Sequence, residues 1–263
     1  MTAYLPDTNV LIDYGRFPVV QAKLDSAEKS GATFVLAPVT LTELIVGVVN
    51  GGPAFFQRNK RIFPWLLAHS GSILDLPAPF IGKLMGFSWK RSRVEPIHYL
   101  ECIKLVVNSG TFEEFLRRKD DAGSSWTDID RAFQIHNRKV DEEFSALERL
   151  AAYSKEKVDV AKGLCKGYTP PSIVPDADLF KRHFSAAIEY AEASIALMRE
   201  SLTSTTRVKA NPRKNDRGRY GDFQLFVYLA DPNITLLTGE EKRFLRNIEH
   251  SPQRTRIVSL DAL

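Results

Sequence analysis

At 263 residues, with 44% hydrophobic side chains and a net charge of +4, the chain can bury the core of one large domain or two smaller ones. It contains no run of about eighteen apolar residues to cross a bilayer and no basic start followed by a long apolar stretch, so a cytoplasmic protein without a membrane role is expected. Cys102 and Cys165 stand apart without CxxC spacing, and His69, His98, His136, His183 and His250 never fall three or four apart, which sets aside redox and zinc chemistry.

The chain opens with "TAYL", read as a short buried strand ending near Asp7, after which "NVLIDYG" starts a helix or turn. "ATFVLAPVTLTELIVGVV" reads as a strand over 33–37 followed by a helix, and "GSILDLP" at 71–77 as a third strand.

From 87 to 210 the pattern changes. Phe133, Val140, Phe144, Leu147 and Ala151 recur at helical spacing, as do Phe180, Phe184, Ala187, Ala191, Ile195, Met198 and Leu202. Both runs predict long amphipathic helices, separated by the three prolines of "GYTPPSIVPDAD" at 167–178. Phe112, Phe115, Trp126 and Phe133 have the chemistry to stack on bases, but at helical spacing such rings are read first as core.

Towards the C-terminus "GDFQLFVYLA" predicts a helix, "NITLLT" a strand, "GEEKRFLRNI" a helix and "RIVSL" a last strand. Strands alternating with helices imply a parallel sheet covered on both faces. The fold expected is therefore α/β, with 1–86 and 211–263 forming one discontinuous domain and 87–210 an all-helical insertion. Just before the third helix of that pattern, "RVKANPRKNDRGR" (207–219) holds six basic residues against Asp216, and shorter basic clusters occur at 58–61, 90–93 and 117–119. Such clusters suit a phosphate backbone, or are simply solvated faces.

In open parallel sheets chemistry gathers beyond the carboxyl ends of the strands, which is where Asp7 falls. Glu43, early in its helix, Asp222, at a helix start, and Glu240, just past "NITLLT", fall at comparable positions. Taken singly, each acid has a structural reading, as a cap or a first-turn carboxylate. Together in one cleft they would repel one another and call for a hard divalent cation, for which oxygen ligands favour Mg²⁺ or Mn²⁺ over zinc.

These segments resemble a known family. "LPDTNVLIDYG" is similar to the first motif of PIN-domain nucleases, "VTLTELIVGV" to the second with Glu43 in the matching position, "GDFQLFVYLA" to the third with Asp222, and "NITLLTGEEKRF" to the fourth. Where the family usually has Asp in the fourth motif this chain has Glu240, with Glu241 beside it, and small PIN toxins carry no comparable helical insertion.

The resemblance implies a three-layer α/β/α sandwich and an endoribonuclease. Asp7, Glu43, Asp222 and Glu240 would be the metal-holding and catalytic acids, Mg²⁺ or Mn²⁺ the cofactor, and Asn9 and Thr238 supports for the carboxylates. Arg213, Lys214, Arg217 and Arg219 would attract single-stranded RNA, and cleavage would leave a 3′-hydroxyl and a 5′-phosphate. An inhibitor or antitoxin protein and a second copy of the chain are partners the resemblance also brings in. The competing reading is a PIN-like RNA-binding or protein-interaction module without turnover. A haloacid-dehalogenase-type phosphatase would need a second Asp two residues after the first, where Asn9 stands.

Overall fold

A computed structural model of the chain describes residues 2–89, 96–121, 127, 131, 134, 159–203 and 221–263, with the side chains of 121 and 198–203 left undescribed. Among these residues a parallel sheet forms from β1 (Ala3–Pro6), β2 (Thr33–Phe34), β3 (Ile234–Thr238) and β4 (Ile257–Ser259) in the order β2-β1-β3-β4. The chain is α/β, and its first strand pairs with one more than two hundred residues away, Leu5 opposite Leu236 and Pro6 opposite Leu237.

Alternation along these strands sorts their side chains onto two faces. Tyr4, Phe34, Leu237 and Val258 join one apolar cluster. Leu5, Ile234, Leu236 and Ile257 join the other. A strand buried on both faces has no polar positions to spare, which is why "ITLLT" is buried from end to end.

The first cluster receives α1 (Thr8–Arg16), α2 (Pro18–Lys29), α3 (Pro38–Asn50), α4 (Gly52–Asn59) and α5 (Phe63–Ala68). Proline in the first turn of α2 and α3 sets a helical φ where no backbone donor is needed. α6 (Pro77–Met85) packs on the opposite cluster and ends at Gly86, whose φ of 78° places it in the left-handed region.

Two expectations change here. The strand expected at 33–37 spans only Thr33–Phe34, and the one expected at 71–77 is a single parallel bridge between Leu36 and Ile73. Leu36 N–H donates to Ser72 O at 3.0 Å and Leu74 N–H to Leu36 O at 2.9 Å, but a 3-10 turn at Ser70–Ser72 and the helix starting at Pro77 leave no length to extend the ladder.

The middle of the chain is helical where it is described: α7 (Pro96–Val107), α8 (Phe112–Asp121), α9 (Val160–Tyr168), α10 (Ala177–His183) and α11 (Ser185–Thr203). The periodic run from Phe133 to Ala151, and Trp126, lie outside the described residues. The proline-rich stretch breaks the chain between α9 and α10. The helix expected through Phe180 to Leu202 is instead two, interrupted at Phe184 (φ −113°, ψ 32°). Gln253 satisfies the loose ends at this break: its Oε1 accepts from Ala186 N–H at 2.9 Å, and its Nε2 donates to His183 O at 2.7 Å.

These helices share both cores with the α/β elements. Tyr99, Cys102, Ile103, Val106 and Phe115 join the first cluster, and Phe180, Phe184, Ala187 and Tyr190 join the second with helix α12 (221–228). Phe112 and Phe115 pack against Phe56, ring centroids 6.0 and 5.6 Å away, so they serve the core. Both cysteines are buried and free, and burial pushes the Cys102 thiol up to about 12, well out of the reactive range. No helix among the described residues is long and apolar enough to cross a membrane.

Candidate functional site

Asp7 stands at the carboxyl end of β1 and caps α1, so one residue ends a strand and starts a helix. Its side chain is almost fully buried, at 3% exposure. Val10 N–H donates to Oδ1 at 2.7 Å, and the Thr238 hydroxyl donates to Oδ2 at 2.5 Å. That hydroxyl accepts in turn from Glu240 N–H at 3.0 Å, which fixes its direction. Burial raises the Asp7 pKa to about 6; the two hydrogen bonds oppose the rise and the charges of Asp222 and Glu240 add to it.

Glu43 projects from the second turn of α3 towards the same place. Thr8, the residue after Asp7, donates its hydroxyl to Glu43 Oε2. Burial raises the Glu43 pKa to about 7, against the Thr8 hydrogen bond and with help from Asp222 and Asp7. Its Oε1 lies where a Cβ on Gly221 would come within 2.7 Å, so a residue without a side chain is what lets α3 and α12 bring Glu43 beside Asp222.

Asp222 lies in α12, and residues 204–220 just before it are outside the described ones. Two donors from different parts of the chain converge on its Oδ2: the Tyr190 hydroxyl on α11 at 2.9 Å and Arg243 Nη2 at 2.6 Å. Arg243 belongs to α13 (Glu241–Arg246). Its Nη1 donates to Glu240 Oε2 at 2.5 Å, so one guanidinium bridges two of the four acids. Burial works against the charge on Arg243, but Asp222 and Glu240 outweigh it and its pKa is raised. Glu240, not Glu241, is the acid of the pair that bears on Asp7.

The charges of Asp222 and Glu240 thus bear on Asp7, those of Asp7 and Asp222 bear on Glu43, and Arg243 links Asp222 to Glu240, so the four expected acids form one linked set. They do not form a preassembled chelate: among the described residues no three His, Cys, Asp or Glu side chains close on a single ion position. The donor chemistry still fits a hard divalent cation, being all oxygen, anionic and partly desolvated, with the two most buried carboxyls held as weaker acids than usual by burial and by their neighbours.

Of the supporting residues, Thr238 contacts Asp7 as expected, whereas Asn9 is exposed and the hydroxyl that reaches an acid belongs to Thr8. Arg213, Lys214, Arg217 and Arg219 lie outside the described residues. The shorter basic clusters, where described, serve local structure: Lys60 donates to Ser109 O, and Arg118 pairs with Glu114 at 2.7 Å one helical turn away. Tyr190, Gly221 and Arg243 were not singled out from the sequence. A basic residue three positions after a strand-end acid was the one signal available for Arg243. Comparison with protein-family models, curated proteins and solved structures gave no match.

Proposed function

We propose that the protein is a Mg²⁺- or Mn²⁺-dependent endoribonuclease of PIN-like, three-layer α/β/α architecture, acting through Asp7, Glu43, Asp222 and Glu240. The observation that carries this reading is the convergence of four acids from β1, α3, α12 and the end of β3, two of them with pKa values raised to about 6 and about 7. Desolvated, mutually repelling carboxylates destabilise a fold unless a counter-charge offsets them, and a site for chemistry is the usual reason to keep them.

Asp7, Asp222 and Glu43 would hold the cation, with Glu240 at its edge. The cation would supply Lewis-acid activation of water and neutralise charge building on the phosphate. This chain's own groups set the geometry. Thr238 and Val10 N–H fix both oxygens of Asp7, Thr8 fixes Glu43, and Tyr190 fixes Asp222 from the helical region. Glu240, whose side chain is part-exposed, would orient a water or accept its proton.

The absence of a preassembled chelate among the described residues favours a second reading, a PIN-like RNA-binding module without turnover. An assay of single-stranded RNA cleavage with Mn²⁺, Mg²⁺ or chelator separates the two. Metal-dependent cleavage by the natural sequence that disappears in Asp7→Asn, with circular dichroism unchanged, supports the enzyme. Equal background in both proteins rules it out and leaves the binding module.

A further inference from the structure

The four acids are not left without positive charge: Arg243 forks across Asp222 and Glu240, with N–O distances of 2.6 and 2.5 Å, while its side chain remains 45% exposed. Asp222 is also the acid whose charge bears on both Asp7 and Glu43. A cation that took Asp222 as a ligand would compete for the very oxygen, Oδ2, that Arg243 and Tyr190 now share.

We propose that Arg243 is the resident counter-cation of this site, occupying in the resting protein the position of charge that a divalent ion takes, so that ion binding requires the guanidinium to swing out and Arg243 sets the ion affinity. This rests on the reading of the acids as a cation site.

The geometry favours displacement over permanent pairing. Arg243 sits in the first turns of α13, a helix of six residues, and its half-exposed side chain has solvent to move into. Its ring neighbour, Phe244, with the guanidinium carbon 5.7 Å from the ring centroid, is anchored in the core and stays when the arginine turns. The Tyr190 hydroxyl carries no full charge, so it opposes an ion at Asp222 far less than the guanidinium does. The chain thus carries two kinds of support for one carboxylate, a hydroxyl compatible with a bound ion and a charged fork that excludes one.

One oxygen of Asp222 and one of Glu240 are both taken by the guanidinium, so an ion using either must displace it.

The test is Mn²⁺ binding to chelator-treated protein, followed by the electron paramagnetic resonance signal of free Mn²⁺. Arg243→Gln removes the charge and Arg243→Lys keeps it without the bidentate fork. Arg243→Gln is expected to bind Mn²⁺ at least roughly tenfold more tightly than the natural protein, because a charge-assisted pair no longer has to be broken. Arg243→Lys is expected to fall between them. In parallel, nitrogen-15 spectra of the unsubstituted protein should show the restrained Nη protons of Arg243 becoming rotationally averaged at saturating Mg²⁺, a readout that holds even where the Gln variant folds poorly. Unchanged or weaker Mn²⁺ binding in Arg243→Gln, or a guanidinium that stays restrained with Mg²⁺ bound, overturns the inference and leaves the cation site standing. No Mn²⁺ binding by any of the three proteins overturns both. Binding by Arg243→Gln alone supports the inference and shows that the natural chain rests blocked.

Discussion

Thr238 donates its hydroxyl to Asp7 Oδ2 at 2.5 Å, joining the ends of two adjacent parallel strands whose residues lie 231 positions apart in the chain. The bond holds the carboxylate in one orientation without supplying the positive charge that its burial calls for. Asp7→Asn should therefore lose RNA cleavage while keeping the fold. At pH 8 its stability in chelator should equal that of the natural protein or exceed it by up to about 2 kcal/mol, because a buried charge has been removed although one hydrogen bond is weakened. Urea unfolding followed by circular dichroism measures this, and a large loss of stability would mean that Asp7 is there for the fold.

Stability without divalent cations should fall as pH rises. Asp7 is raised from its ordinary 3.8 to about 6, and Glu43 from 4.5 to about 7, so the folded state favours their neutral forms. For a group raised in this way the contribution is fully present below the unfolded value and is lost as pH climbs through the folded one. The window is thus from about pH 4 to pH 7, and for Asp7 the full change is roughly 3 kcal/mol. Glu43 contributes less than its rise suggests, since part of its side chain meets water. Urea titrations at pH 5 and pH 8 in chelator check the sign, and added Mn²⁺ should flatten the difference.

Asp7, Asp222 and Glu240 were legible because each stands at the edge of an apolar run, and Glu43 because it is the acid inside a largely apolar helix. Arg243 was not, because "EEKRFLRN" offers three basic residues and only the direction of α13 picks one of them. Tyr190 was not legible either, because its ring is core, stacked on Phe226 with centroids 4.5 Å apart, and only its hydroxyl reaches Asp222. The helix break at Phe184 has neither Pro nor Gly to announce it. Gln253, nearly seventy residues away, supplies the hydrogen bonds that make it tolerable. The strand expected at 71–77 failed for the converse reason: its apolar residues are suited to a ladder that flanking turns cut to one bridge.

Gly221→Ala separates positioning from folding. A methyl group there meets Glu43 Oε1 at 2.7 Å, which a flexible carboxylate can escape by turning aside. Gly221 is the first described residue of α12, so alanine there changes helix propensity by at most about 1 kcal/mol. The expected outcome is an unchanged or slightly higher melting temperature with cleavage reduced by roughly tenfold or more, the penalty typical of a misplaced catalytic group. A melting temperature that drops along with activity would place the clash in the core and not at Glu43.

Tyr190→Phe asks whether the helical region takes part in the site or merely packs beside it. The substitution keeps the ring and its stacking on Phe226, and deletes only the hydroxyl that holds Asp222 Oδ2. A hydrogen bond to a charged group contributes about 1.5–3 kcal/mol, but here Arg243 still holds the same oxygen, so global stability should change by less than about 1 kcal/mol. With a divalent cation bound and Arg243 displaced, the hydroxyl has no such substitute. Cleavage should then fall several-fold and the Mn²⁺ concentration needed for half-maximal activity should shift, while the melting temperature in chelator stays put. Activity and metal dependence both equal to those of the natural protein would confine Tyr190 to packing and detach α11 from the chemistry.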